Sequence, residues 1–220
     1  MASASHELRT PLTVERTLLQ VALKNRRASA ESLRSTCEKL LVQNDQQQRL
    51  IEALLTLAMS ERGIERWESV DLAAVAEHVV ALRGQEAQRR DLRVHVSLGV
   101  AQATGDPDLV ESLVANLVDN GMRHNVGGGS LQVVTESRGD RAVIAVTNTG
   151  PVVSPEDVQA LLEPFRRSAD RIRIRDGHGL GLSIVRAVAD AHRAMLSVEP
   201  CPDGGLRVEV EFPGQNPAGG

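Results

Sequence analysis

The sequence predicts an α plus α/β protein in which an antiparallel helical hairpin precedes a two-layer α/β sandwich. As far as Arg62, apolar residues recur at spacings of three, four and seven, which is the period of an amphipathic helix. Beyond Gly63, segments in which apolar and polar residues alternate become frequent, and this is the period of a half-buried strand. Apolar helical stretches separate those segments, so helices are expected to cover one face of the resulting sheet.

The hairpin is predicted from two long apolar stripes. The first helix is expected at about 7–26 and the second at about 30–62, and so short a connection makes them antiparallel neighbours. Two helices cannot enclose an apolar seam, so the hairpin is predicted to pair with a second copy as a dimeric four-helix bundle. Asn44, together with Gln47 or Gln48, interrupts the seam with polar groups that could fix its register.

The α/β part is predicted from five strands and three helices. The strands are expected at 93–98, 131–136, 142–148, 195–198 and 206–212, and the helices at about 72–88, 107–125 and 180–191. Asp106 is a suitable N-cap, and Pro107 after it is the residue type favoured at the first helical position. We therefore place one domain at 1–65, a second at 66–214 and a disordered tail at 215–220.

Composition excludes several functional classes. The 220 residues are 41% hydrophobic and 25% charged with a formal net charge of −4, so neither disorder nor a concentrated basic surface for nucleic acid is expected. Tyr is absent and Trp occurs once, which removes the aromatic stacking positions of single-strand binders. The two cysteines, Cys37 and Cys201, argue against a disulfide framework and against a zinc site.

The most distinctive stretch near the start is Ser5-His6-Glu7-Leu8-Arg9-Thr10-Pro11-Leu12. A neutral His6 imidazole is a usable nucleophile near pH 7, and Glu7 can take or orient the proton on the other ring nitrogen. Thr10 follows His6 by four residues and therefore shares its helix face. Pro11 either lies in the first turn, where proline is tolerated, or bends the helix interior by removing an amide donor.

A second group of motifs lies in the α/β part and points to a phosphate ligand. Asn116 and Asn120 are four residues apart on one helix face, so two amide carbonyls can point at one magnesium-phosphate site. The glycines of 177–181 leave room for a backbone to approach phosphate closely. This segment opens onto a helix whose first N–H groups favour an anion.

Five motifs in a fixed order resemble those of bacterial two-component sensor histidine kinases, and the resemblance covers residues 3–213. The segment 5–12 resembles the phosphoacceptor box of that family. The other four resemble the motifs of GHKL-type ATP-binding domains: an N box at 116–125, a G1 box at 148–151, an F box at 163–167 and a G2 box at 177–183. The resemblance implies a dimerisation and histidine phosphotransfer domain followed by a catalytic ATP-binding domain.

The resemblance also implies ATP and Mg²⁺ as cofactors and a role for each matching residue. Asn120 is the implied magnesium ligand, Asn116 a supporting residue on the phosphate side, Arg123 a phosphate contact and His124 a nucleotide contact. Arg167 is expected near the γ-phosphate, where a cation stabilises developing charge. The remaining implied nucleotide contacts are Asn148, Gly150, Gly177, Gly179, Leu180 and Gly181, and Arg171, Arg173 and Arg175 fall in the implied lid over ATP.

Two residues, one in the G1 box and one directly after it, depart from the family pattern. Asn148 stands where the family has an aspartate that accepts a hydrogen bond from the adenine amino group, and Val152 replaces a glycine. Asparagine keeps a carbonyl acceptor but adds a donor. We therefore predict an active enzyme that still recognises adenine, with weaker affinity or altered purine discrimination.

The implied activity is autophosphorylation of His6 from Mg-ATP, followed by transfer to an aspartate of a response regulator receiver domain. In this family a Glu-x-x-Thr arrangement such as Glu7 and Thr10 supports dephosphorylation of the regulator, so phosphatase activity is also expected. Two other interpretations stay open. One is a GHKL-type ATPase or serine kinase that uses the hairpin only to dimerise, and the other is a degenerate kinase acting as a nucleotide-binding dimer scaffold.

Neither a charged leader with a following apolar stretch nor an apolar run of about 18 residues occurs, so we predict a cytoplasmic chain without a membrane segment. The phosphoacceptor box nevertheless starts within the first few residues, and a helix that carries His6 normally has turns before it. We therefore expect a sensor or membrane portion to precede the chain, which would attach the complete protein to the inner or plasma membrane.

Overall fold

The computed structural model describes residues 2–25, 28–163 and 179–214, and for residues 2–11 and 46 it describes the backbone alone. The chain divides into two compact units, Met1–Leu55 and Thr56–Gly220. The first is helical, and the second contains a mixed sheet with helices. The predicted α plus α/β class is therefore confirmed. The tail at 215–220, the lid arginines and most of the F box lie outside the described residues.

The hairpin consists of helix α1, Ala2–Lys24, and helix α2, Ala30–Arg62. The second helix has the predicted bounds, whereas the first begins earlier than expected, at Ala2. Pro11 therefore lies in the interior of α1 and not in its first turn. Because proline has no N–H, the backbone carbonyl of Glu7 lacks its usual helical partner.

Both hairpin helices expose large apolar side chains. On α2 the exposed fractions of Leu33, Leu41, Ile51 and Leu55 range from 43% to 66%, and Asn44 lies among them on the same exposed stripe. We call these five residues the α2 stripe. A contiguous exposed apolar surface marks an interaction site. No helix within the described ranges is both long enough and apolar enough to cross a membrane.

Among its described residues, the second unit contains seven strands in two sheets. In chain order they are β1 Glu68–Asp71, β2 Arg93–Leu98, β3 Gln102–Gly105, β4 Ser130–Arg138, β5 Arg141–Asn148, β6 Met195–Pro200 and β7 Leu206–Phe212. The main sheet has the order β2-β4-β5-β7-β6 and is antiparallel except for the parallel pair of β2 and β4. The other sheet pairs β1 with β3, two short strands that the alternation of residue types did not predict.

Five helices accompany these strands within the described part of the second unit: α3 Leu72–Leu82, α4 Gly84–Arg89, α5 Pro107–Arg123, α6 Pro155–Leu161 and α7 Gly181–Ala191. The single helix predicted at 72–88 is interrupted at Arg83, whose φ of −97° and ψ of 1° leave the helical range. Gly84 follows, and glycine is unfavourable in the interior of a helix. Helix α6 was not predicted, although Ser154 caps it by accepting a hydrogen bond from Asp157 N.

The core of the second unit lies between one face of the main sheet and the helices. Helix α5 occupies its centre, because it contacts α3, α7, β4 and β5. The buried side chains include Leu113, Val114 and Leu117 of α5, Ile184, Val185 and Val188 of α7, and Leu131, Ile144, Val208 and Val210 of the strands. The two helices that carry the predicted phosphate motifs are therefore held by the same apolar core.

Candidate functional site

The two asparagines of the N box lie in the second half of α5 and face the beginning of α7. Asn116 Nδ2 donates to Ser112 O at 2.8 Å, which directs its Oδ1 away from the helix backbone. A Cβ built on Gly181 would lie 3.7 Å from Asn116 Oδ1 and 3.9 Å from Asn120 Oδ1. The fold therefore brings both amide oxygens next to the first residue of α7.

The beginning of α7 has the geometry of an anion site. Gly179 has a φ of +68°, in the left-handed region that favours glycine. Leu180 is buried, and its carbonyl accepts hydrogen bonds from Ile184 N and Ser183 Oγ at 2.9 Å each. The first N–H groups of a helix have no helical acceptor, so this terminus favours negative charge. Gly177 lies outside the described residues.

The G1 box follows the end of β5. The buried Asn148 donates from Nδ2 to Thr149 O at 2.8 Å, so its Oδ1 remains an acceptor on the other side of the amide. A Cβ on Gly150 would lie 2.6 Å from His124 O, so only glycine fits there. The side chain of Val152 is exposed, so this position has room for a side chain and does not need the glycine that the family has here.

A polar network that was not predicted joins the end of α5 to the G1 box. Asn125 Nδ2 donates to Gly121 O at 3.2 Å and to Ser130 O at 2.9 Å. Thr149 Oγ1 donates to Asn125 Oδ1 at 2.7 Å and accepts from Ser130 N at 2.8 Å. An asparagine just after a helix is a signal of a helix end, but the local sequence holds no sign of the Thr149 contact.

Two glycines in the turn between β6 and β7 support the G1 box from the other side. Gly204 and Gly205 have φ values of +94° and +92°. A Cβ on Gly205 would collide with Asn148 O, and one on Gly204 would collide with Gly150 O. Gly205 N donates to Pro151 O at 3.0 Å. A Gly-Gly pair between two alternating strands signals a hairpin turn, but it does not reveal this contact.

We expect Gly205→Ala to lower the free energy of unfolding by about 2–4 kcal/mol, because the methyl group meets backbone and φ is unfavourable. Gly139→Ala is the matched control, since Gly139 also has a positive φ, +66°, but nothing lies within 4 Å of its Cβ position. The control is expected to cost about 1 kcal/mol. Denaturant midpoints measure both changes, and equal midpoints would contradict the contact between the turn and the G1 box.

The remaining predicted residues are placed as follows. His6, Glu7 and Thr10 lie in the part of α1, residues 2–11, for which only the backbone is described. Arg123 is the last residue of α5, and His124 N donates to Asn120 O at 3.0 Å, so both lie at the same end of the helix as Asn120. Arg167 lies outside the described residues.

Comparison with known families agrees with this geometry. The family model described as Histidine kinase-, DNA gyrase B-, and HSP90-like ATPase matches residues 105–216, which is more than half of the 220 residues. The His Kinase A (phospho-acceptor) domain matches residues 1–63. The chain belongs to the histidine kinase family. The predicted resemblance is thereby confirmed, and the two matches together contain all of the predicted site residues.

Curated histidine kinase relatives align with almost the whole chain. The sensor protein CutS of Streptomyces coelicolor is 42% identical over 215 residues, which are 97% of this chain and 52% of CutS. The signal transduction histidine-protein kinase BaeS of Escherichia coli is 32% identical over 218 residues, 97% of this chain and 46% of BaeS. The chain spans about half the length of the curated relatives it matches.

Solved histidine kinase structures share the fold. Histidine kinase AdeS of Acinetobacter baumannii superposes with a TM-score of 0.78 at 24% identity, covering 96% of this chain and 98% of AdeS. Histidine kinase ThkA, solved in complex with the response regulator TrrA, gives a TM-score of 0.75 at 18% identity over 97% of this chain and 60% of ThkA. At these identities the likeness concerns the fold.

Proposed function

We propose that this chain is the cytoplasmic catalytic core of a sensor histidine kinase that phosphorylates its own His6 from Mg-ATP. One observation carries the proposal. The amide oxygens of Asn116 and Asn120 lie next to Gly181, at the N-terminus of α7. Magnesium takes oxygen ligands, and phosphate takes the N–H groups of a helix N-terminus. One small region therefore offers groups suited to both parts of a magnesium nucleotide.

The residues around this region have distinct proposed roles. Asn120 would hold the metal and Asn116 would support it, because their oxygens lie on the side of α5 that faces Gly181. Arg123 and His124, at the same end of α5, would contact the phosphates and the nucleotide, and Arg167 would stabilise charge at the γ-phosphate. Bound Mg²⁺ would neutralise charge on the transferring phosphoryl group.

The G1 box supports adenine as the base. Asn148 Nδ2 is engaged by Thr149 O, so its Oδ1 is the atom left to accept a hydrogen bond from the adenine amino group. Guanine carries an oxygen acceptor at the corresponding position, which would face Oδ1 unfavourably. Gly150, Gly179 and Leu180 would complete the nucleotide pocket together with Gly177.

Phosphoryl transfer would use α1, the helix that carries His6 and is here called the acceptor helix, as the substrate. A nitrogen of the neutral His6 imidazole attacks the γ-phosphorus, an N–P bond forms, the bond to the β–γ bridging oxygen breaks, and ADP leaves. Glu7 would take or orient the proton on the other ring nitrogen. We further propose transfer to an aspartate of a receiver domain, and support by Glu7 and Thr10 for hydrolysis of that phosphoaspartate.

We propose that the protein acts as a homodimer, with residues 1–65 serving dimerisation and phosphotransfer and residues 66–214 binding ATP. The α2 stripe supports this, because its apolar side chains are exposed on a single chain. A second copy that covered the stripe would remove this apolar area from water.

The test is to incubate the chain with γ-labelled ATP and Mg²⁺ and to examine the chemistry of the label. We expect a label that is labile in acid and stable in alkali, as for phosphohistidine, and that passes to a cognate receiver domain. GTP at the same concentration should label less. An acid-stable label would favour a serine kinase, and ATP binding without any label would favour the scaffold.

A further inference from the structure

His192 is a buried histidine that has no part in the proposed ATP site. It follows the last residue of α7 and is fully buried. Its Nδ1 lies 2.8 Å from Val188 O, and its Nε2 accepts a hydrogen bond from Asp106 N at 3.1 Å. A carbonyl can only accept and an amide N–H can only donate, so these partners assign a neutral ring with its proton on Nδ1.

The two hydrogen bonds of His192 join the end of α7 to the beginning of α5. Asp106 is the N-cap of α5, and its carboxylate accepts from Asp108 N at 3.0 Å and from Leu109 N at 3.2 Å. The imidazole therefore holds the first turn of α5 through the same residue that caps it. We call this arrangement, from Val188 O through His192 to Asp106 N, the imidazole tie.

The imidazole tie and the proposed ATP site lie at opposite ends of one helix pair. Helices α5 and α7 pack against each other. At the far end from the tie, Gly181 of α7 lies beside the amide oxygens of Asn116 and Asn120. Asp106 and Asn120 are separated by about 20 Å along α5, at 1.5 Å per residue. If α7 slid along α5 at the tie, Gly181 would therefore shift relative to Asn116 and Asn120.

Two aromatic rings and Gly105 surround the imidazole of His192. Trp67 and Phe212 meet it edge-on, with ring centroids at 5.9 Å and 5.5 Å. Gly105 closes a further side, since a Cβ there would collide with Cδ2 and Nε2 of the imidazole. Burial lowers the pKa of His192, against opposing effects of the Val188 hydrogen bond and the Asp106 charge, which agrees with a neutral ring.

We propose that His192 is a positioning residue for the nucleotide site, and that its hydrogen bond to Asp106 N fixes the register of α7 against α5. That register sets the distance between the N-terminus of α7 and the amide oxygens of Asn116 and Asn120. A displacement of about 1 Å in such a site can cost roughly 100-fold in activity. The inference rests on the proposed function, because it assigns His192 a role in the Mg-ATP site proposed above.

Two substitutions separate the hydrogen bonds of the tie. In His192→Asn the side-chain amide can still donate to Val188 O but cannot reach Asp106 N. In His192→Gln the amide oxygen extends to the position of Nε2 and can still accept from Asp106 N. Both variants lose the ring contacts with Trp67 and Phe212, so a role in core packing alone predicts similar losses of stability and no difference in ATP affinity.

The experiment measures Mg-ATP affinity and thermal stability for wild type, His192→Asn, His192→Gln and Asn120→Ala. We expect about tenfold weaker ATP binding for His192→Asn, and binding within about threefold of wild type for His192→Gln. Equal affinities of the two His192 variants would overturn the positioning role. If the wild type itself did not bind Mg-ATP, the proposed function would be wrong. If instead the wild type bound Mg-ATP, Asn120→Ala bound it weakly and the two His192 variants had equal affinities, only the positioning role of His192 would be wrong.

A measurement on the wild type keeps the inference testable if either variant fails to fold. Coupling between two sites is reciprocal, so ATP must stabilise the tie if the tie stabilises ATP binding. Saturating Mg-ATP is therefore expected to slow hydrogen exchange of the Asp106 amide, which donates to His192 Nε2. Unchanged exchange of this amide at saturation would overturn the inference.

Discussion

His6→Gln is expected to reduce phosphoryl incorporation from labelled Mg-ATP below detection while Mg-ATP affinity stays within about twofold of wild type. Glutamine occupies a similar volume, but its amide nitrogen is not a nucleophile, so the N–P bond cannot form. The ATP site is assigned to residues far along the chain, and this variant leaves them unchanged. The measurement is the acid-labile label per chain, with nucleotide affinity determined in the same preparation.

His95→Gln is the matched control for this change. His95 lies on β2 with an exposed side chain, so the same substitution is made in the second unit and leaves the sequence of α1 unchanged. It is expected to retain wild-type labelling. Persistence of the acid-labile label in His6→Gln would assign the nucleophile to another histidine and would contradict the proposed role of the acceptor helix.

Asn120→Ala is expected to weaken Mg-ATP binding by about 10–100-fold and to lower autophosphorylation at least as much. Losing one contact to a charged group costs about 1.5–3 kcal/mol, and each 1.4 kcal/mol is about tenfold in affinity. The loss should depend on magnesium, because the proposed contact is to the metal. Titrations with ATP in Mg²⁺ and in a chelator measure this, and the difference between variant and wild type should largely disappear in the chelator.

The neighbouring residue provides the control for Asn120. Asp119 pairs with Arg83, with 3.0 Å between Oδ1 and Nε, and this ion pair is partly exposed, so it contributes little to stability. Asp119→Asn is therefore expected to leave Mg-ATP affinity near the wild-type value. If Asn120→Ala bound Mg-ATP as tightly as Asp119→Asn, Asn120 would not be the metal ligand.

The elements with a clear period were the ones that the sequence could predict. Strands β2 and β7 alternate apolar and polar residues along their length, and the helical spacing of apolar residues in α2 resumes after the polar interruption around Asn44. Strands β1 and β3 have four residues each, too few for a period to be recognised. The break at Arg83 was missed because the apolar spacing continues across it.

Within the site, contacts between residues close in sequence could be predicted, and contacts between distant residues could not. Asn116 and Asn120 could be paired from sequence because they are one helical turn apart. The imidazole tie joins His192 to Asp106, which lies 86 residues earlier, and no local pattern marks either residue as a partner of the other. Gly205 likewise appears as an ordinary turn glycine until the backbone of Asn148 is seen beside it.

The edge contact between Trp67 and His192 has a spectroscopic consequence. The chain has one Trp and no Tyr, so its intrinsic fluorescence comes from a single indole whose position is known. That indole touches the imidazole that joins α5 to α7. Emission from the unlabelled protein therefore reports on the end of the helix pair that lies away from the proposed nucleotide site, without an added dye or an engineered tryptophan.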